Sequence, residues 1–181
     1  MNIGILALQG AYMAHSTKLK KLGLDSYLLK TKQDLDSCDA IFLPGGESTT
    51  MLHLLKELNL TDSLIAKLKN VPVFATCAGL ILLKELNILD IDITRNGYGP
   101  QLMSGVHSLE VDLKGVSQPI EAFFIRAPII TKLNDKSIKI LSNYKNNPVL
   151  IEKDKILAMS FHPELNDCSK IYEYFFKRVS N

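Results

Sequence analysis

Val71-Pro72-Val73-Phe74-Ala75-Thr76-Cys77-Ala78-Gly79-Leu80-Ile81-Leu82-Leu83 is the stretch whose reading decides the fold. An apolar, β-rich run breaks at small residues around one cysteine, and helix-forming leucines follow at once. Strand, sharp turn and helix in succession form a nucleophile elbow, here with Cys where many hydrolases place Ser. The turn is strained and brings strand and helix nearly into contact, so its neighbours must be small. Ala75, Ala78 and Gly79 meet that demand. An elbow would place Cys77 at a helix N-terminus, where the partial positive charge favours thiolate over thiol. The plainer reading is a buried structural cysteine after a core strand. The turn residues on both sides favour the elbow.

Working outward from the elbow, Met1–Leu8 is nearly all apolar, as expected of a buried parallel strand. Gln9-Gly10 breaks it, and Ala11–Leu22 reads as a helix stopped by Gly23. Asp25–Leu29 and Ala40–Leu43 are further short strands, the latter ended by Pro44-Gly45-Gly46. Met51, Leu54, Leu55 and Leu58 repeat at the spacing of a helix resting on a sheet, and Leu64, Ile65 and Leu68 mark another helix. This alternation predicts a doubly wound, mostly parallel α/β sheet. The second half differs. His107–Leu113, Ile120–Ile125, Ile138–Asn143, Val149–Glu152 and Ile156–Phe161 are closely spaced strand candidates separated by turn residues, so antiparallel or mixed pairing is expected there. Ile171, Phe175, Phe176 and Val179 form the apolar side of a closing helix. No repeat or linker interrupts the chain, and residues 1–181 read as one mixed-sheet domain.

A chain of 181 residues is long enough for one full core and too short for two comfortable ones. A net charge of +2 without a Lys/Arg cluster gives no reason to expect nucleic-acid binding. Cys38, Cys77 and Cys168 are odd in number and far apart, which suggests neither a disulfide framework nor a metal site. A reducing, cytoplasmic setting is expected, with no signal peptide and no membrane span. No cofactor is implied.

A cysteine nucleophile needs a base, and the base needs an orienting group. His162 is the candidate base because it ends a β-rich run, and such sheets gather their chemistry at the carboxyl ends of strands. Glu164 lies two residues on, and in an extended segment both side chains would face the same side. His15 and His53 are expected on helix surfaces, His107 in an ordinary strand, and Cys38 and Cys168 in structural turns. Leu43-Pro44-Gly45-Gly46-Glu47-Ser48-Thr49-Thr50 is either an anion- or oxyanion-binding loop at a helix start or a tight turn with Ser48 as N-cap. Arg95 and Arg126, each at a strand end beside turn residues, suit a carboxylate-bearing substrate, or else form surface ion pairs.

Taken together these segments resemble the class I glutamine amidotransferases. Leu6-Ala7-Leu8-Gln9-Gly10, the Leu43–Thr50 loop, Thr76-Cys77-Ala78-Gly79, Arg95-Asn96, Phe124-Ile125-Arg126-Ala127-Pro128 and Ser160-Phe161-His162-Pro163-Glu164 stand in the order found in the glutaminase subunits of pyridoxal 5′-phosphate synthases. The resemblance covers nearly the whole chain. It implies a flavodoxin-like, three-layer α/β/α fold and hydrolysis of L-glutamine, with the ammonia passed to a separate synthase subunit. It also implies Cys77 as nucleophile, His162 as acid/base and Glu164 as its orienter. Gly46, Glu47, Ser48, Arg95, Ile125 and Arg126 match the glutamine-binding positions, and N–H groups of Gly45, Gly46 and Ala78 the oxyanion hole. Two positions depart from the family pattern. Ala75 replaces a glycine in the elbow, where a methyl tightens the turn, and Tyr98-Gly99-Pro100-Gln101 has proline where the family has arginine. The alternatives are a glutaminase of another amidotransferase, such as imidazole glycerol phosphate synthase, and a catalytically silent docking module of the same fold.

Overall fold

Residues 1–98 and 105–179 are described by the computed structural model. Its central strands are short and apolar on both faces: β1 (Ile3–Leu6), β3 (Ala40–Leu43), β4 (Val73–Thr76) and β11 (Ile156–Met159) are buried along their whole length. Burial on both faces is what a parallel strand covered by helices requires. Because successive side chains alternate, Ile41, Leu43, Val73 and Ala75 enter one core layer while Phe42 and Phe74 enter the other. Phe42 and Phe74 stack at 4.6 Å between ring centroids.

With β2 (Ser26–Leu29), β10 (Asn147–Lys153) and β9 (Lys139–Tyr144), these strands form a seven-stranded sheet in the order β2-β1-β3-β4-β11-β10-β9. Pairings from β2 to β11 are parallel, and β10 and β9 are antiparallel. The order begins as in flavodoxin-like sheets, with the chain reversing direction across the sheet at β1. One face is covered by α2 (Lys32–Ser37), α3 (Ser48–Glu57), α4 (Thr61–Leu68) and α5 (Ala78–Glu85). The other is covered by α1 (Tyr12–Lys21), α6 (Ser169–Val179) and a hairpin of β6 (Gly105–Asp112) and β7 (Ser117–Phe124). β5 (Ile91–Thr94) pairs antiparallel with β8 (Ile129–Leu133), apart from the main sheet.

The expected strands and helices are all found, with ends shifted by a few residues. Three elements were not expected: α2, β5 and β8. The antiparallel half also divides. β9 and β10 extend the main sheet, whereas β6 and β7 make a separate ribbon whose buried residues alternate toward one face only, so it lies on the sheet's helical layer. Leu58, assigned to the buried stripe of α3, is the residue after the helix and is 50 % exposed, because the chain turns away there. The Ala75 methyl is fully buried, and its strand keeps its register with Leu43 and Ala158. Pro100 lies outside the described residues.

Candidate active site

The carboxyl ends of β3, β4 and β11 deliver the Gly45–Ser48 segment, Cys77 and His162 to one rim, where Arg95 after β5 and Ile125-Arg126 after β7 join them. At β4 the chain turns on Cys77, whose φ of 48° and ψ of −104° place a non-glycine residue in a costly region. The strain is held from both sides: Cys77 N–H donates to the Met159 carbonyl at 2.9 Å, and Leu80 N–H donates to the Cys77 carbonyl at 3.1 Å. Helix α5 starts at the next residue, so the sulfur sits at its positive end. Gly79 is required by close approach, since a methyl there would lie 2.2 Å from the Leu43 carbonyl oxygen.

His162 follows β11. Its N–H donates to the Phe123 carbonyl of β7 at 2.9 Å, and its ring Nδ1 is 2.7 Å from Glu164 Oε1. The pairing expected of these residues is present, but not by the expected route. Residues 162–165 form a turn rather than an extended strand, with Leu165 N–H reaching the His162 carbonyl at 3.3 Å. Pro163 and Glu164 occupy its middle, where proline's fixed φ suits the first central position. Burial by itself pushes the imidazole down, but hydrogen bonds with Cys77 and Glu164, and their charges, outweigh it and hold His162 at about 10. Glu164 is likewise raised by burial, then brought below its ordinary range by the imidazoles of His15 and His162 facing it. The pair is an imidazolium and a carboxylate at neutral pH.

The loop after β3 closes the other side. Gly45 passes directly beneath the imidazole, and a methyl there would lie 2.3 Å from His162 Cε1. The Gly45 carbonyl accepts the Ala11 N–H at 2.9 Å, and Glu47 N–H donates to Gln9 Oε1 at 2.8 Å, so the segment after β1 fastens this loop. In a trans peptide C=O and N–H point oppositely, so the Gly46 N–H points away from α1. Ala78 is the first residue of α5, a position whose N–H has no partner within the helix. The N-cap reading of Ser48 is corrected: Glu47 is the cap residue without a side-chain capping bond, and Ser48 is buried as the first helical residue. The Glu47 carboxylate instead meets Arg126 Nη2 at 2.6 Å. Arg95 Nη1 donates to Thr49 Oγ1 at 2.9 Å, and its Nη2 lies 3.4 Å from Glu85.

These groups line an open cleft with a volume of about 460 Å³. Gly45, Gly46, Glu47, Ser48, Cys77, Arg95, Ile125, Arg126 and His162 all line it. Ala78 and Glu164 stand behind it, and the Ile125 carbonyl faces the Cys77 sulfur at 3.9 Å. Gln9 and Thr49 also line it, without having been assigned a role from the sequence. His15 is the larger correction. Expected on a helix surface, it is fully buried, with Nε2 3.5 Å from Glu164 Oε2. The signal was its spacing four residues before Leu19, which lies on the same buried face of α1.

A chain described as "Pyridoxal 5'-phosphate synthase subunit PdxT" from Kosmotoga olearia is 44 % identical over 190 positions, covering 99 % of this chain and 98 % of that one. Its namesake from Thermotoga neapolitana is 42 % identical, covering 99 % and 100 %. A crystal structure titled as a glutamine amidotransferase superposes with a TM-score of 0.90 at 33 % identity over the whole of both chains. A putative GMP synthase subunit from Thermoplasma acidophilum, at 17 % identity and a TM-score of 0.76, shares the fold. Residues 5–181 match the SNO glutamine amidotransferase family, and the chain belongs to that family.

Proposed function

We propose that this chain is the glutaminase subunit of a pyridoxal 5′-phosphate synthase, acting in the cytoplasm, and that Cys77, His162 and Glu164 carry the hydrolysis. The observation that carries the reading is the strained Cys77 at a helix N-terminus sharing one cleft with an imidazole whose Nδ1 lies 2.7 Å from a buried carboxylate. The names of the relatives supply the synthase context.

The Cys77 sulfur attacks the side-chain amide carbon of L-glutamine. Charge then develops on the amide oxygen, to be met by backbone N–H groups at Gly45-Gly46 and Ala78, one such donor being worth roughly a hundred- to a thousand-fold in rate. The His162 imidazolium gives its proton to the departing nitrogen, ammonia leaves, and a γ-glutamyl thioester remains. The imidazole, now neutral, takes a proton from water, whose oxygen attacks the thioester carbon. Glutamate leaves and the Cys77–His162 pair is restored. Glu164 holds the ring and balances its charge without taking its proton. Arg126 would meet the substrate α-carboxylate, and Glu47 its ammonium, by parting from one another; their ion pair on the cleft wall supports this. Ammonia released into water would be protonated and lost as a nucleophile, which accounts for docking on a synthase subunit.

Glutamate release, measured with the synthase subunit of the same organism added, is the test. Cys77→Ala abolishes release if the reading is right; equal release from wild type and variant removes Cys77 from the mechanism.

A further inference from the structure

His15 is fully buried on the inner face of α1, and the mechanism above gives it no role. We propose that His15 is a positioning residue for the glutaminase reaction, its Nε2–H facing the outer oxygen of Glu164 and so keeping the inner oxygen on His162. The proposal rests on the catalytic reading given above.

The carboxylate of Glu164 is used asymmetrically. Oε1 takes the His162 ring at 2.7 Å. Oε2 is buried and, among the described residues, has no hydrogen-bond partner. The polar atom opposite it is His15 Nε2, at 3.5 Å. That same nitrogen lies 3.1 Å from Thr76 Oγ1, so its hydrogen bond goes to the hydroxyl while the carboxylate oxygen faces it at longer range. Its other nitrogen, Nδ1, lies 3.2 Å from Tyr172 OH on α6.

These contacts select the tautomer. An unprotonated Nε2 would turn its lone pair on an anionic oxygen, which is repulsive. With the proton on Nε2, Nδ1 is left as an acceptor, and the Tyr172 hydroxyl, kept protonated far above neutral pH by burial, is the donor it needs. The ring also stays neutral. Phe42 and Phe74 pack their rings near it at 5.8 and 6.1 Å, and burial holds its pKa down against the pull of Glu164. A cation at His15 would compete with His162 for the carboxylate. A neutral N–H steadies that carboxylate and leaves its charge to His162.

The network therefore reaches both ends of the catalytic machinery. Thr76 is the last residue of β4, adjacent to the nucleophile, and Glu164 stands behind the base. Without the His15 N–H, Glu164 is free to turn about its terminal bond, and the His162 ring loses its fixed angle.

The full-length chain is assayed with its synthase subunit. His15→Leu lowers kcat for glutamine by about 10- to 100-fold with KM nearly unchanged, the size typical of an outer partner that orients a functional group. His15→Gln, whose amide can again present an N–H, recovers kcat to within about threefold of wild type. The decisive measurement is coupling to Glu164→Gln. If His15 acts through that carboxylate, His15→Leu adds no further loss to Glu164→Gln. Losses that multiply, a defect confined to KM, or His15→Gln as impaired as His15→Leu overturns the proposal. Should His15→Leu fail to fold, Tyr172→Phe, which keeps the ring and removes the donor that sets the tautomer, takes its place in the same double variant. Activity surviving in Cys77→Ala refutes the catalytic reading itself; a dead Cys77→Ala with multiplying losses refutes only the role of His15.

Discussion

Glu164 and Glu47 stand at the same rim, and each meets a cationic partner at nearly the same distance, 2.7 Å to His162 and 2.6 Å to Arg126. Their surroundings differ. The Glu164 side chain is 0 % exposed and the Glu47 side chain 56 %. In water-like surroundings such a pair contributes about 0–1 kcal/mol and is readily exchanged. In a buried setting, removal of one partner strands a charge, which costs about 3–5 kcal/mol. Equal distances thus describe a permanent fixture in one case and a replaceable contact in the other. An amino-acid substrate carries both charges needed to part Glu47 from Arg126, and nothing comparable can part Glu164 from His162.

The most severe test of that contrast is exchange of the buried carboxylate. Glu164→Gln lowers kcat by about 10³- to 10⁴-fold, the scale seen when a triad carboxylate is neutralised, while the circular dichroism of the folded chain is retained. Glu47→Gln changes kcat far less. Equal losses would erase the distinction.

A second test uses protons. His162 ionises at about 10 when folded against an ordinary 6.5, so across that interval the native chain holds a proton that the unfolded chain has released. The stability this contributes is complete below about 6.5 and is lost as pH rises toward 10. Glu164 acts from the acid side: its lowered pKa contributes above the ordinary 4.5 and is lost on acidification below it. Urea unfolding of wild type therefore weakens between pH 6.5 and 10 more steeply than that of His162→Gln, whereas Glu47→Gln parallels wild type. A His162→Gln curve parallel to wild type would show that the pair is not coupled to folding.

The smallest effect is expected at the exposed pair. Arg126→Ala raises KM for glutamine about tenfold and shifts unfolding free energy by less than about 1 kcal/mol. An unaltered glutamine affinity would leave Arg126 a surface contact like any other.

Legibility in the sequence followed the same division between local and distant causes. The elbow was readable because its ingredients, a β-rich run, small residues and a helix, are contiguous from Val73 to Leu83. Glu164 was found beside His162 for an incorrect reason, since sequence spacing alone does not separate a turn from an extended segment. α2 was missed although Thr31 and Asp34 carry its reciprocal cap, with Asp34 N–H reaching Thr31 Oγ1 at 3.2 Å and Thr31 N–H reaching Asp34 Oδ2 at 2.8 Å. β5 and β8 are short, half-exposed and, among the described residues, paired only with each other, so neither shows a clear period. His15 carries a local sign of burial in its spacing to Leu19, but its partners, Thr76, Glu164 and Tyr172, are 61 to 157 residues away. No local pattern announces a contact of that span.

The contact of Gly79 with the Leu43 carbonyl has a mechanical consequence. Leu43 is the last residue of β3, and Pro44-Gly45-Gly46 departs from it immediately. The first turn of α5 is thereby wedged against the root of the glycine loop, with no slack left for a side chain between them. Sulfur and loop are mounted on a common block, and a partner pressing on one would displace the other in step.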